Sequence, residues 1–258
     1  MRELILNLGG YCLSIIERFG DVAILFYRTT YSCFTPPYNF RLVIQQLDEI
    51  GFKSIPIVVV SALAIGMVMV VQLAYAFAYF GAKGVIGPIV SLAFVRELGP
   101  VLASLLVGGR VGSGITAEIG SMQVTEQIDA IRTLGADPIR KLVVPRYIAA
   151  AVSFPFLAII ADLSGIAGAM IMADIELGVK PRLFISSIEG FVGLSDLISG
   201  VLKTVFFGLI VAIIGCYIGM TTEGGTEGVG RATTLTVVIS MVLIIIGDFF
   251  LTKIFLIL

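Results

Sequence analysis

After Ser54 the chain runs IPIVVVSALAIGMVMVVQLAYAFAYF to Phe80, some 26 residues without a charged side chain. As a helix this stretch is roughly 39 Å long, more than the about 30 Å of hydrocarbon in a bilayer. Lipid offers no water to an open backbone, so only helices or closed barrels can cross it. The composition agrees: 58% of residues are hydrophobic, 14% are charged, and mean hydropathy is +1.06. Soluble domains hold about 45–50% apolar and about 25% charged residues.

Four more apolar runs read as spans: about 85–116, 147–173, 198–220 and 233–256. Before them, apolar residues recur at helical spacing at Leu4, Leu8, Tyr11, Ile15, Phe19 and Val22, while Glu17, Arg18 and Asp21 fall off that stripe. No small-residue cleavage site follows, which argues against a secretory signal. The stripe makes this segment an expected helix in the membrane interface, with a first span interrupted by charge as the alternative. The expected fold is therefore all-α and integral to the membrane: an N-terminal interfacial helix region over 1–50 and a five-span core over 54–258. Five spans place the termini on opposite sides. The N-terminal region and the connections 2–3 and 4–5 carry eleven Lys or Arg, among them Arg28, Arg132, Arg140, Lys141, Arg146 and Arg231. The other side and its flanks carry five, namely Lys83, Lys180, Arg182, Lys203 and Lys253. The positive-inside rule then puts the N-terminus and residues 118–146 in the cytoplasm and the C-terminus outside it.

Net charge is −1, which gives no electrostatic case for nucleic acid. Cys12, Cys33 and Cys216 match no metal or redox spacing, and there is no histidine, which removes the usual proton shuttle, metal ligand and triad base. Small residues recur every four positions at Gly108, Gly112, Thr116 and Gly120, at Ala161, Gly165, Ala169 and Ala173, and at Gly215 and Gly219. Such rows let helices approach closely; packing within one chain is the simpler reading and a homodimer seam the other.

Inside the second span lies FVRELGP, residues 94–100. Pro100 has no N–H for the carbonyl of Arg96, and Gly99 weakens the same turn, so the span should bend or unwind. Arg96 and Glu97 point about 100° apart on a helix and cannot simply pair side by side. Ionisable groups at such depth cost at least about 2.5–3.5 kcal/mol, which makes them candidates for function; a buried ion pair that locks two helices is the other reading. Asp162 and Asp248 sit in spans three and five, suited either to gating or to a place near the far surface. Between spans two and three, VTEQIDAIRTLGADPIRKLVVPR contains a short amphipathic helix. Thr125 is its expected cap, Gly135 and Pro138 its stop, and Val124, Ile128, Ile131 and Leu134 its apolar stripe. Glu126, Gln127, Asp129, Arg132 and Thr133 face outward, available to the membrane surface or to a cytoplasmic partner. The stretch 109–116 mimics a phosphate-binding loop, but Ile115 stands where the lysine must be.

RELGP, GGRVGSGITAEIGSM, TEQIDAIRTLGADP and VVPR form one continuous block over 96–146, and GVGRATTLTVV follows at 228–238. Together they resemble MlaE-type (YrbE) permeases, the membrane subunits of ABC systems that work with MCE proteins. The resemblance covers nearly the whole chain as one domain, 1–258. It implies a non-catalytic permease in the bacterial inner membrane that moves phospholipid between inner and outer membranes and maintains outer-membrane asymmetry. It further implies a homodimer, a cytoplasmic ABC ATPase that binds ATP and Mg in this chain's stead, a STAS-domain protein and a periplasmic MCE hexamer. The ATPase would dock on the coupling helix through Glu126, Gln127, Asp129 and Arg132. Arg96 and Glu97 map onto the family's pair beside the lipid cavity, and Gln72 and Tyr75 are candidate lining residues. The alternative is an ion-coupled secondary transporter of an amphipathic substrate, with Glu97, Asp162 and Asp248 as the relay, although inverted repeats are not evident. A lipid enzyme is disfavoured by the lack of a nucleophile–base pair.

Overall fold

A computed structural model describes residues 2–36, 39–77 and 83–257, and among these it holds helices and no strand. The helices are α1 (Arg2–Cys33), α2 (Phe40–Ile50), α3 (Ile55–Phe77), α4 (Ile86–Ala93), α5 (Gly99–Val124), α6 (Gln127–Thr133), α7 (Val144–Leu177), α8 (Pro181–Ile188), α9 (Leu194–Met220) and α10 (Gly225–Ile257). Five segments are long and apolar enough to cross a bilayer: Phe40–Phe77, Ile86–Val124, Ile139–Leu177, Leu194–Met220 and Gly225–Phe255. The five-span, all-α expectation holds.

The helices outrun the hydropathy runs that announced them. α5 continues through Glu118 to Val124, α10 begins at Gly225 rather than Thr233, and α2 leads into α3 through a single 3-10 turn. Polar residues at helix ends still make intrahelical hydrogen bonds, so apolar length underestimates helix length. Residues 78–80 at the end of the first run, and the side chains of Leu4, Leu8, Tyr11, Ile15 and Lys83, lie outside what is described. Of the N-terminal stripe, Phe19 is exposed and Val22 is half-buried against the core.

The small-residue rows are seams within the chain. A Cβ on Gly66 of α3 would fall 2.0 Å from the Gly165 carbonyl of α7, and one on Gly168 would fall 2.2 Å from the Leu63 carbonyl. The two backbones therefore touch, which is how packing energy is gained where lipid competes equally for apolar side chains. On the other side of the bundle, the Thr116 hydroxyl of α5 donates to Gly215 O of α9 at 3.1 Å and lies 2.7 Å from Thr236 Oγ1 of α10. Gly168→Val should force α3 from α7, at a cost of several kcal/mol typical of severe overpacking. The expected result is loss of the monodisperse peak in detergent size-exclusion chromatography; a wild-type profile would mean that the seam is loose.

Candidate functional site

The break foreseen at Gly99–Pro100 is a π turn over Phe94–Leu98, closed by the Gly99 N–H on the Phe94 carbonyl. The chain does not unwind. One extra residue is taken up in the helix, and the helical span α4–α5 stays continuous. This bulge sets the directions of Arg96 and Glu97, which reach different partners. Arg96 Nε donates to Asp196 Oδ1 of α9 at 2.7 Å, with a second approach from Nη2 at 2.7 Å. Asp196 also accepts the Gly193 N–H at 2.9 Å, tying the start of α9.

Glu97 enters a second cluster. Lys203 of α9 is 2% exposed, and its Nζ donates to Glu97 Oε2 at 2.8 Å, Asp248 Oδ1 at 3.2 Å and Thr252 Oγ1 at 2.7 Å. The Thr252 hydroxyl accepts from Lys203 and donates to Glu97. An ammonium has three protons, so Lys203 is fully used. Lys203 lies roughly 14 Å along α9 from Leu194, well inside the span. That corrects its assignment to a flanking position: it is buried among partners at its own depth, and it has no place in a count of loop charges.

Asp248 thus belongs to the cluster, whereas Asp162 of α7 does not; both of its carboxyl oxygens are buried without a hydrogen-bond partner. Gln72 and Tyr75 are on the exposed face of α3, opposite Val58, Ala62, Gly66 and Val70, and neither joins the cluster. Asp196, Lys203 and Thr252 were not foreseen. A lone lysine inside an apolar run was the available signal for Lys203; for Thr252 there was none.

At the other end of the bundle, α6 is held by buried Ile128 and Ile131, with Val124 half-buried. Two expectations fail there. Thr125 does not cap α6; its hydroxyl turns back to Ser121 O of α5 at 2.8 Å, and Glu126 precedes the helix with φ +59° and no capping hydrogen bond. Leu134 is not on the buried stripe but 84% exposed, because the helix ends at Thr133 and Gly135 takes φ +76°. Glu126, Gln127, Asp129, Arg132 and Thr133 are exposed as expected, with Arg132 donating to Asp129 at 2.9 Å. Beneath them Glu118 of α5 meets buried Arg146 of α7 at 2.6 Å.

The family model described as Permease MlaE matches residues 43–254, which takes in the π turn, both charge clusters and α6. The chain belongs to the MlaE permease family. A "Probable ABC transporter permease protein" of Rickettsia typhi is 40% identical over 95% of both chains. A protein of the same description from Synechocystis is 42% identical over 83% of this chain and 81% of its own. The Arabidopsis thaliana protein TRIGALACTOSYLDIACYLGLYCEROL 1, chloroplastic, is 39% identical over 84% of this chain and 62% of its own. This MlaE-family chain is thus an ABC transporter permease and a multi-pass membrane protein, a class of subunit that works with an ATPase.

Proposed function

We propose that this permease moves phospholipids between the inner and outer membranes of a bacterial envelope and so maintains outer-membrane lipid asymmetry. The observation that carries the reading is the pair of charge clusters at the π turn. An apolar bundle that carries Arg96, Glu97, Asp196, Lys203 and Asp248 within its spans suits a cargo with a charged head and apolar tails. Arg96, although paired with Asp196, is the cation a phosphate can reach: its side chain is 44% exposed, whereas Lys203 is 2% exposed. The name of the Arabidopsis relative, a glycolipid, supports a lipid as the cargo class. Gln72 and Tyr75 would meet the lipid tails from α3, and a second copy of the chain would close the cavity.

The chain sits in the inner membrane with α6 in the cytoplasm, by the charge asymmetry of its connections. α6 is the docking element for the ATPase, which binds ATP and Mg; exposed Glu126 and Gln127 stand at its start and Leu134, an exposed apolar side chain, at its end. A STAS-domain protein accompanies the ATPase, and an MCE hexamer receives the lipid on the periplasmic side. The ion-coupled alternative gains nothing from the geometry: Glu97 and Asp248 share Lys203, and Asp162 bonds to neither.

A mild-detergent pull-down through a tag on this chain tests the proposal, with mass spectrometry of proteins and lipids together. The wild type should bring down an ATPase, an MCE protein and phospholipid in stoichiometric amounts. Glu126→Arg, at an exposed side chain with no hydrogen bond among the described residues, should cut ATPase recovery roughly tenfold or more, the scale of a reversed charge at an interface. Recovery of the chain alone, with lipid movement persisting after ATP depletion, would sink the proposal. Full ATPase recovery with Glu126→Arg would leave α6 as a surface anchor.

A further inference from the structure

Asp162 stands apart from both charge clusters. It lies midway along α7, 3% exposed, with both carboxyl oxygens orphaned. An unsatisfied polar group at such depth is costly and calls for a reason. Its neighbour supplies one. A Cβ at position 99 would stand 1.7 Å from Asp162 Oδ1 and 3.2 Å from the Phe94 carbonyl, so the carboxyl group rests on the bare Cα of Gly99. Gly99 is the residue whose N–H closes the π turn. Two further contacts hold the same turn. The Phe94 ring covers Gly165, where a Cβ would be 2.0 Å from Cε1, and the Val95 carbonyl faces Gly200 of α9, where a Cβ would be 2.1 Å away. The turn is gripped between α7 and α9, and Asp162 is a polar side chain that α7 brings to it, as Asp196 and Lys203 are from α9.

We infer that Asp162 is a positioning residue: its carboxyl group, seated on Gly99, holds the π turn so that Arg96 meets Asp196 and Glu97 meets Lys203. A π turn carries one residue more than regular helix, and each helical residue turns the chain by about 100°. Relaxation of the turn would therefore swing Glu97 away from Lys203 while the spans on either side stay folded. The consequence for lipid movement rests on the function proposed above; the geometry does not.

The test uses the purified full chain in mild detergent. A small amine-reactive acylating reagent reports on Lys203, which is 2% exposed with its three protons engaged, and labelling is read by mass spectrometry. Cys216, 0% exposed, is labelled in parallel with a thiol reagent as the control for the overall fold. Asp162→Ala should raise Lys203 acylation on the order of tenfold with Cys216 still protected, as expected of a local opening. Asp162→Asn keeps the shape of the side chain and should stay protected. Gly99→Ala should expose Lys203 too, and Gly99→Ala/Asp162→Ala, with a methyl where the carboxyl stood, should restore protection. The inference is overturned if Asp162→Ala leaves Lys203 protected, or if the double variant labels as fast as Gly99→Ala. It fails equally if Asp162→Ala unprotects Cys216 together with Lys203, since the residue would then serve the whole fold. No lipid or ATPase enters this readout, so its failure and the failure of the transport proposal are separable.

Discussion

Lys203→Ala should give little folded protein. Among the described residues the ammonium is the only cation within bonding distance of Glu97 and Asp248, at 2.8 and 3.2 Å, and it joins α9 to both the π turn and α10. Deleting one partner of a buried ion pair costs about 3–5 kcal/mol, because the charges left behind stay uncompensated. Glu97, at 39% side-chain exposure, retains some solvent, which draws the expected cost toward the lower end of that range. Even so, it is a large share of the about 5–15 kcal/mol that holds a typical fold. Size-exclusion profile and Tm in detergent are the measurements. The variant that separates charge from bulk is Lys203→Met with Glu97→Gln and Asp248→Asn. A fully neutral replacement of a buried ionic network is often near neutral for stability, so this triple variant should fold. It should also carry no phospholipid if the cluster serves cargo. A Lys203→Ala protein with wild-type Tm would show that the ammonium does not hold these helices together.

The spans were legible because a bilayer imposes one crude requirement, apolar length, that a sequence displays directly. The site was less so, because its pairs are distant in sequence: Arg96 to Asp196 and Glu97 to Lys203 are about a hundred residues apart. FVRELGP announced two charges and a weakened turn, yet both an unwound segment and a π turn are compatible with a proline that offers no N–H to the Arg96 carbonyl. Lys203 was misplaced because a lysine near a helix end usually snorkels to the interface; partners at its own depth remove that need. Thr125 read as a helix cap since its hydroxyl can bond forward or back, and the direction depends on α5 continuing to Val124. Leu134 kept the apolar period, but the period ran one residue past the end of the helix, where Gly135 turns the chain away.

Arg96→Ala and Asp196→Ala remove the same ion pair and should nevertheless have opposite consequences. Arg96 is 44% exposed and Asp196 is 11% exposed, and pairs with one solvated partner contribute about 0–1 kcal/mol. Arg96→Ala leaves Asp196 with the Gly193 N–H at 2.9 Å, so Tm should fall by only a few degrees. If the guanidinium binds the lipid phosphate, its loss removes a charge-assisted hydrogen bond of about 1.5–3 kcal/mol, and phospholipid recovered per protein should drop roughly ten- to a hundredfold. Asp196→Ala instead strips the Gly193 N–H of its acceptor and frees Arg96 from a carboxylate that competes with the phosphate. Stability should fall by about 1 kcal/mol, as for a lost helix cap, while lipid recovery stays at the wild-type level or rises. Phosphate analysis of the purified protein alongside thermal unfolding reads both effects in one preparation. Unchanged lipid recovery in Arg96→Ala would reduce the pair to a strut between the π turn and α9. Equal losses in the two variants would mean that the intact pair, rather than the released guanidinium, holds the head group.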